Sequence, residues 1–365
     1  MEIATVDLYR YELPLTTPLR LAGTTVRHRR GLLLRVETER GGVGWGEAAP
    51  LPGFSNETLS EVVRFAREAV PRWTGTEIPD GAAALGRSPP AFPLGPEGPP
   101  SLRFAAESAV AMLLATTRNP SMPAVLGTPR STVALNALIT HPGDDGPRQA
   151  VRHREQGYRA AKVKVGRGTV EADAEQIRAI HQTLGDSVSL RADANRAWAL
   201  EEAVAFAKAT RDVPIAYVEE PLANPAQLSE MVAQTDLPVA LDETTRETSP
   251  EILRNDAFVS AVVLKPTLLG GLRPTLGWRW AAREAGVPSV ISAAYETGIG
   301  LRMLVALAAT GPDTPVGLST YDRLTADVLR SPLPIDGPTI DVQSVVSAPV
   351  AIAEDRLERI DAVSS

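Results

Sequence analysis

The chain has 365 residues, 44% of them hydrophobic and 22% charged, which are globular proportions with length for one large or two ordinary domains. A net charge of −7 without a basic cluster argues against nucleic acid or an anionic membrane as partner. The absence of cysteine excludes disulfides, thiolate nucleophiles and Cys-ligated metals; with no apolar run near ~20 residues and no apolar core in the charged opening "MEIATVDLYRYEL", a cytoplasmic protein is expected.

In chain order, "IATVDLYRYELPL" and "GLLLRVETERGGVGWGEAAPL" read as strands of an antiparallel unit with "ERGG" as a hairpin turn. The arginine-dense "RHRR" at 27–30 reads as a solvated turn. The helix "SNETLSEVVRFAREAV" follows, then the Pro/Gly-rich connector "GRSPPAFPLGPEGPP" and the helix "SLRFAAESAVAMLLATT". From about residue 131 the pattern changes. Short Val/Ile/Ala-rich runs alternate with amphipathic segments: "VALNALI", "AAKVKV", "SLRADAN", "IAYVEE", "PVALDE", "AVVLKP", "PSVISAA" and "PVGLS". Between them, "TVEADAEQIRAIHQTLG" carries a Thr N-cap, early acids and a closing glycine. Eight such units predict a closed parallel barrel with its site at the carboxyl ends of the strands, and an open doubly wound sheet would want a glycine-rich phosphate loop that is missing after the first strand. The tail after residue 320 lacks the repeat and is expected to return to the N-terminal unit.

Lysine is almost absent. Of 37 basic residues only Lys162, Lys164, Lys208 and Lys265 are lysines, and all but Lys208 sit in apolar strand runs. Arginine serves wherever a fixed cation is enough, whereas lysine changes protonation state readily on burial, so lysine kept in such places points to proton transfer. The middle strands end in charge in the order Lys164, Asp193, Glu219 or Glu220, Asp242 or Glu243, Lys265, one strand-helix unit apart. Residues i and i+2 share a face, so Lys162 goes with Lys164, and Arg191 and Asn195 with Asp193.

Taken singly these features are ordinary. An Asp at a strand end is more often a helix cap than a ligand, "EEP" is common, and a buried lysine can be half of a structural ion pair. Capping does not produce the ordered series, however. Three carboxylates on neighbouring strands suit a hard divalent cation, and a cation beside a substrate carboxylate stabilises the enediolate left when the adjacent carbon loses its proton. Lys164 is the expected base, and Lys162, a like charge on its face, is expected to disfavour its protonated form.

"KVKV", "RADAN", "VEEP", "LDE" and "LKP", in this order, resemble the enolase superfamily in its muconate cycloisomerase-like group. "GWGEAAPLPGFSNETL" resembles the capping domain of that group, so the match covers nearly the whole chain. "AVVLKPTLLGG", "ISAAYETGIG" and "TPVGLSTYDRL" are most similar to the o-succinylbenzoate synthases of menaquinone biosynthesis. The resemblance implies an α/β fold, a modified TIM barrel (β/α)7β, with an α+β capping domain. The expected division is a cap at 1–125, joined by 321–365, and a barrel at 126–320.

It further implies Asp193, Glu219 and Asp242 as ligands of Mg²⁺, for which Mn²⁺ can substitute, with Glu220 and Glu243 behind them. The implied reaction on a small-molecule carboxylate is syn dehydration of 2-succinyl-6-hydroxy-2,4-cyclohexadiene-1-carboxylate. Lys164 abstracts the proton and returns it to the departing hydroxide, and Lys265 stabilises the enediolate. Arg191, Asn195 and Ser292 are candidates for orienting substrate.

Within the superfamily, N-succinylamino acid racemases and dipeptide epimerases also use a lysine on each face, although the Asp-x-Asp of the epimerases is missing from "SAAYETG". Sugar-acid dehydratases want a histidine on the seventh strand, and the four histidines fall at 28, 141, 153 and 181. A metal-independent Schiff-base aldolase or a non-catalytic binding barrel is the alternative from another class, and neither needs three carboxylates beside two lysines.

Overall fold

Strand alternation in the first forty residues builds the cap. Strand β1 (Ile3–Leu21) buries Val6 and Leu8 and then Tyr11, Leu13 and Leu15, and β2 (Thr24–Thr38) buries Leu32, Leu33 and Leu34 together before alternating through Val36 and Thr38. The computed structural model describes residues 1–21, 24–78, 98–118, 121–140, 145–255 and 258–361; positions 86–97 of the expected connector lie outside that set. β1 and β2 pair antiparallel, and β2 returns through "ERGG" into β3 (Val43–Ala48), with Gly41 at φ 77°, where glycine is favoured.

The expected hairpin is present, but "RHRR" is not a solvated turn. β2 begins at Thr24, so these arginines are strand residues, and Arg29 is only 1% exposed. Arg27, His28 and Arg30 do face outward, which is why the segment reads as surface.

Two helices cover the sheet. Helix α1 (Leu59–Trp73) starts at a capping box in which Thr58 Oγ1 accepts from Glu61 N at 3.2 Å and Glu61 Oε2 accepts from Thr58 N at 2.7 Å. Helix α2 (Pro100–Arg118) lies so close to β3 that a Cβ on Gly46 would stand 1.8 Å from the carbonyl oxygen of Ala105. Gly44 and Gly46 leave the room this helix occupies.

The barrel strands are short and mainly apolar, as parallel strands under helices must be, apart from Lys162, Lys164, Arg191, Asp193 and Glu219. After β4 (Thr132–Ala134), strands β5 (Ala137–Ile139), β6 (Ala160–Lys164), β7 (Ser189–Asp193), β8 (Ile215–Glu219), β9 (Val239–Leu241), β10 (Val259–Leu264) and β11 (Ser289–Ile291) form one parallel sheet in sequence order. The ring closes through "PVGLS". Val316 bridges Leu135 and Gly317 bridges Ser292, both in parallel, with Asn136 N donating to Val316 O at 2.9 Å. The eighth stave is thus two bridges rather than a full strand. The first run is divided because β4 leaves the ring to pair antiparallel with β12 (Thr339–Asp341) of the tail.

The helix expected between the second and third staves runs Val170–Leu184, from the Thr169 cap to Gly185. Beyond β12, β13 (Leu357–Ile360) pairs antiparallel with β1, Ile360 opposite Leu8, giving the cap sheet the order β13-β1-β2-β3. The architecture is the expected α/β one, a parallel barrel bearing an antiparallel cap.

Candidate active site

The ladder registers bring the charged strand ends to one level. Lys164 stands opposite Asp193 on β7, and Asp193 opposite Glu219 on β8. Asp193, Glu219 and Asp242 are all buried. Four non-glycine residues occupy the left-handed backbone region among the described residues, Asn195, Arg196, Glu220 and Tyr295, with φ of 46°, 60°, 42° and 63°. All four lie just beyond the ends of β7, β8 and β11. Backbone strain of this kind collects where a fold has to aim functional groups.

Lysines and acids interlock here. Lys164 Nζ donates to Asp193 Oδ2 at 2.6 Å and to Asn195 Oδ1. Lys162 Nζ lies 3.0 Å from the same Asp193 oxygen and donates to Glu219 Oε1 and Oε2 at 3.3 and 3.2 Å. Lys265 donates to Asp242 Oδ2 from the far side. The expected lysine pair is therefore joined through a shared carboxylate oxygen, with Lys164 and Lys265 at opposite ends of the acidic row.

Glu220 and Glu243 take other positions. With its backbone left-handed, Glu220 turns away from Glu219, and its Oε1 accepts from Asp242 N and Thr244 N, both at 2.8 Å. Its Oε2 accepts from Arg196 Nε and Thr244 Oγ1, both at 2.9 Å. This saturated carboxylate fixes the backbone that carries Asp242. Glu243 Oε1 accepts a long bond, 3.5 Å, from Asn195 Nδ2.

Arg196, which the sequence reading missed, also pairs with Glu247 at 2.7 Å, and only its place three residues after Asp193 could have marked it. Of the three orienting candidates only Asn195 joins the cluster. The guanidinium of Arg191 is taken up in closing the ring, with Nη1 donating to Pro315 O at 2.8 Å and the group lying 5.2 Å from the Tyr217 ring centroid. Ser292 Oγ points to Gly317 O at 3.4 Å, on the seam of the eighth stave.

The electrostatics are uneven. Burial alone would raise Asp193, but Lys162 and Lys164 hold its carboxyl below the usual range, and Lys265 does the same for Asp242 against the same burial. Glu219 is the residue left over. Burial and the charge of Asp193 push it up to about 8, and it shares a hydrogen bond with Asp242. Burial and Asp242 likewise raise Glu243 to about 7.

As they stand, no three acidic or histidine side chains among the described residues form a group that could hold an ion, Asp193 and Asp242 being turned onto lysines. Yet the donors are hard carboxylate oxygens on adjacent strand ends, and Glu219, raised by burial and by the charge of Asp193, lies in the middle. Such a donor set fits a divalent cation.

The cap reaches this centre. Leu51 and Phe54, beyond β3, pack with Leu268, Ala294 and Tyr295 in an apolar cluster, and the Phe54 ring centroid is 5.9 Å from Lys265 Nζ. Arg246, four residues after Asp242, donates from Nη1 to Phe54 O. The site so built has a charged floor, a lysine at each end and one apolar wall.

Comparison with known proteins gives two family matches, "Enolase C-terminal domain-like" over residues 147–347 and "MenC, N-terminal domain" over residues 3–89. The o-succinylbenzoate synthase of Haemophilus influenzae is 32% identical over 342 residues, covering 93% of this chain and 96% of the relative. Among solved structures, the L-Ala-D/L-Glu epimerase of Bacillus subtilis superposes with a TM-score of 0.81 at 25% identity, covering 93% of this chain and 96% of that one. A dipeptide epimerase of Enterococcus faecalis complexed with Mg and L-Leu-L-Tyr gives 0.83 at 21% identity, covering 98% and 100%. At that identity it speaks for the fold alone.

Proposed function

From the premise that this chain belongs to the o-succinylbenzoate synthase family of the enolase superfamily, we propose how its own residues carry out that family's reaction. The chain is a hydro-lyase acting on a small-molecule carboxylate. It converts 2-succinyl-6-hydroxy-2,4-cyclohexadiene-1-carboxylate to o-succinylbenzoate and water in menaquinone biosynthesis. One observation carries the chemical assignment: Lys164 and Lys265 bracket the row Asp193, Glu219, Asp242.

Lys164 takes the proton from the ring carbon that bears the carboxylate. The electron pair moves toward the carboxylate, the C–O bond to the ring hydroxyl breaks, and Lys164 returns the proton to the leaving hydroxide on the same face, so water departs and the ring becomes aromatic. Asn195, bonded to Lys164, keeps the amine aimed. Lys265 presents a fixed positive charge on the opposite side, since Asp242 outweighs burial and holds it above the usual lysine range. Asp193, Glu219 and Asp242 would hold Mg²⁺, which when bound supplies further positive charge for the developing enediolate. Lys162, paired with Asp193 and Glu219, orders the carboxylates between the two ends.

A lysine at each end also supports a second reading, racemisation of N-succinyl amino acids, in which one amine removes the α-proton and the other returns it. The test is direct. The purified protein should consume the cyclohexadiene chromophore with Mg²⁺, stop under chelator and recover on re-addition. Turnover that survives chelator together with borohydride trapping of a carbonyl substrate would instead indicate a Schiff base. Deuterium incorporation into an N-succinyl amino acid, without loss of the chromophore, would select the second reading.

A further inference from the structure

Arg29 reaches from β2 toward the barrel and is 1% exposed. The hydrogen bonds of its guanidinium run to carbonyl oxygens. Nε donates to Tyr295 O at 2.9 Å, Nη1 to Pro50 O at 2.6 Å and Arg30 O at 3.3 Å, and Nη2 to Ala294 O at 3.1 Å and Ala49 O. Four of these five bonds from the planar guanidinium fork hold two segments remote in sequence, one following β3 and one following β11. These segments carry Leu51, Phe54, Ala294 and Tyr295, the apolar wall beside Lys265.

Joining two loops does not call for a buried cation. Apolar packing does that without the cost of desolvating a charge. What a buried arginine adds is direction, because its rigid fork fixes where several carbonyls point at once. One of these carbonyls belongs to Tyr295, whose backbone is held left-handed at φ 63°. The same seam has a second backbone clamp in Glu47, whose Oε2 accepts from Thr297 N at 3.0 Å and Gly300 N at 2.8 Å. Glu296, the nearby acid whose charge Arg29 favours, is itself held by Thr267 Oγ1 and Ala294 N, both at 2.6 Å.

We propose that Arg29 is a positioning residue that locks the segments 49–54 and 293–297 into one rigid wall, so that substrate fit depends on it while proton transfer does not. For its kinetic consequence the proposal rests on the dehydration assigned above; its mechanical core does not. The lysines and acids are held by one another on the strand ends, so the Arg29→Lys variant should raise KM about tenfold with kcat within about threefold and Mg²⁺ affinity unchanged. A folded variant with unchanged KM, or one whose kcat falls together with metal affinity, overturns the proposal.

The wild-type chain provides a test that does not depend on the variant folding or on turnover. The amides of Ser55 and Thr297, bonded to Leu51 O and Glu47, should exchange as a single opening unit, with the same denaturant dependence and protection within about threefold. Protection more than about tenfold apart, with separate denaturant responses, refutes the lock even if dehydration is confirmed. A wild-type protein without dehydratase activity would sink the reaction assignment and leave the exchange result to decide the role of Arg29.

Discussion

The centre of the barrel and the seam between cap and barrel both bury charge, but they satisfy it differently. At the centre side chain answers side chain, Lys164 with Asp193, Lys162 with Glu219, Lys265 with Asp242. At the seam the charges lean mainly on backbone, with hydroxyls such as those of Tyr11 and Thr297 on Glu47 beside it. Arg29 takes carbonyls, Glu47 takes the amides of Thr297 and Gly300, and Asp327 accepts from the amides of Gly298 and Val328 at 2.9 and 2.7 Å. Paired side chains can exchange partners or protons during a reaction, whereas charges tied to backbone can only hold a shape. The molecule keeps its chemistry and its fit in separate regions.

The sharpest way to break this division is Lys164→Arg. The variant should fold, since the cation opposite Asp193 is preserved, and kcat should fall by about 10²- to 10⁴-fold because a guanidinium does not give up its proton. Near-normal turnover would remove Lys164 from the reaction. Asp242→Asn should weaken Mg²⁺ binding in calorimetry by at least about tenfold. Unchanged affinity would show that Asp242 is no ligand.

At the seam, Glu47→Gln leaves buried donors at the start of the helix Gly298–Ala309 poorly satisfied, and should cost about 1–3 kcal/mol in a denaturant melt while sparing Mg²⁺ affinity. A loss of metal binding there would mean that the two regions are not separate. The smallest effect concerns pH. Glu219 is raised from 4.5 to about 8, so between those values the folded, metal-free chain keeps a proton that the unfolded chain has released. Its stability therefore falls as pH rises through that window. A fall in Tm of a few degrees between about pH 5 and pH 8, reduced in Glu219→Gln to the part that Glu243, raised to about 7, supplies, is the expected result.

The same contrast decides what could be read from sequence. Parallel strand-helix units repeat at near-constant length, so acids and lysines at unit spacing had to come together at strand ends. The scarcity of lysine singled out the ends of the row. Alternation could not choose between Glu219 and Glu220, and the resemblance to known enzymes made that choice. In the structure it corresponds to Glu219 ending the ladder while Glu220, at φ 42°, turns to Arg196 and Thr244. Alternation also put Arg191 on the face of Asp193, yet it could not foresee that a long side chain would reach Pro315 and close the ring. The seam was illegible for a simpler reason. Every residue has a carbonyl, so the partners of Arg29 leave no mark in a sequence, and "RHRR" with three side chains outward looks like surface.

The pairing of β13 with β1 bears on how the molecule is made. Arg359 meets Asp7 across 352 residues of chain, so during synthesis the first strand leaves the ribosome long before the neighbour that covers its outer edge. Until then that edge shows unpaired backbone groups, the kind of surface that invites pairing with other chains. The barrel staves, each hydrogen-bonded to the stave made just before it, can assemble in the meantime, so the cap sheet beside the catalytic centre is completed after the barrel.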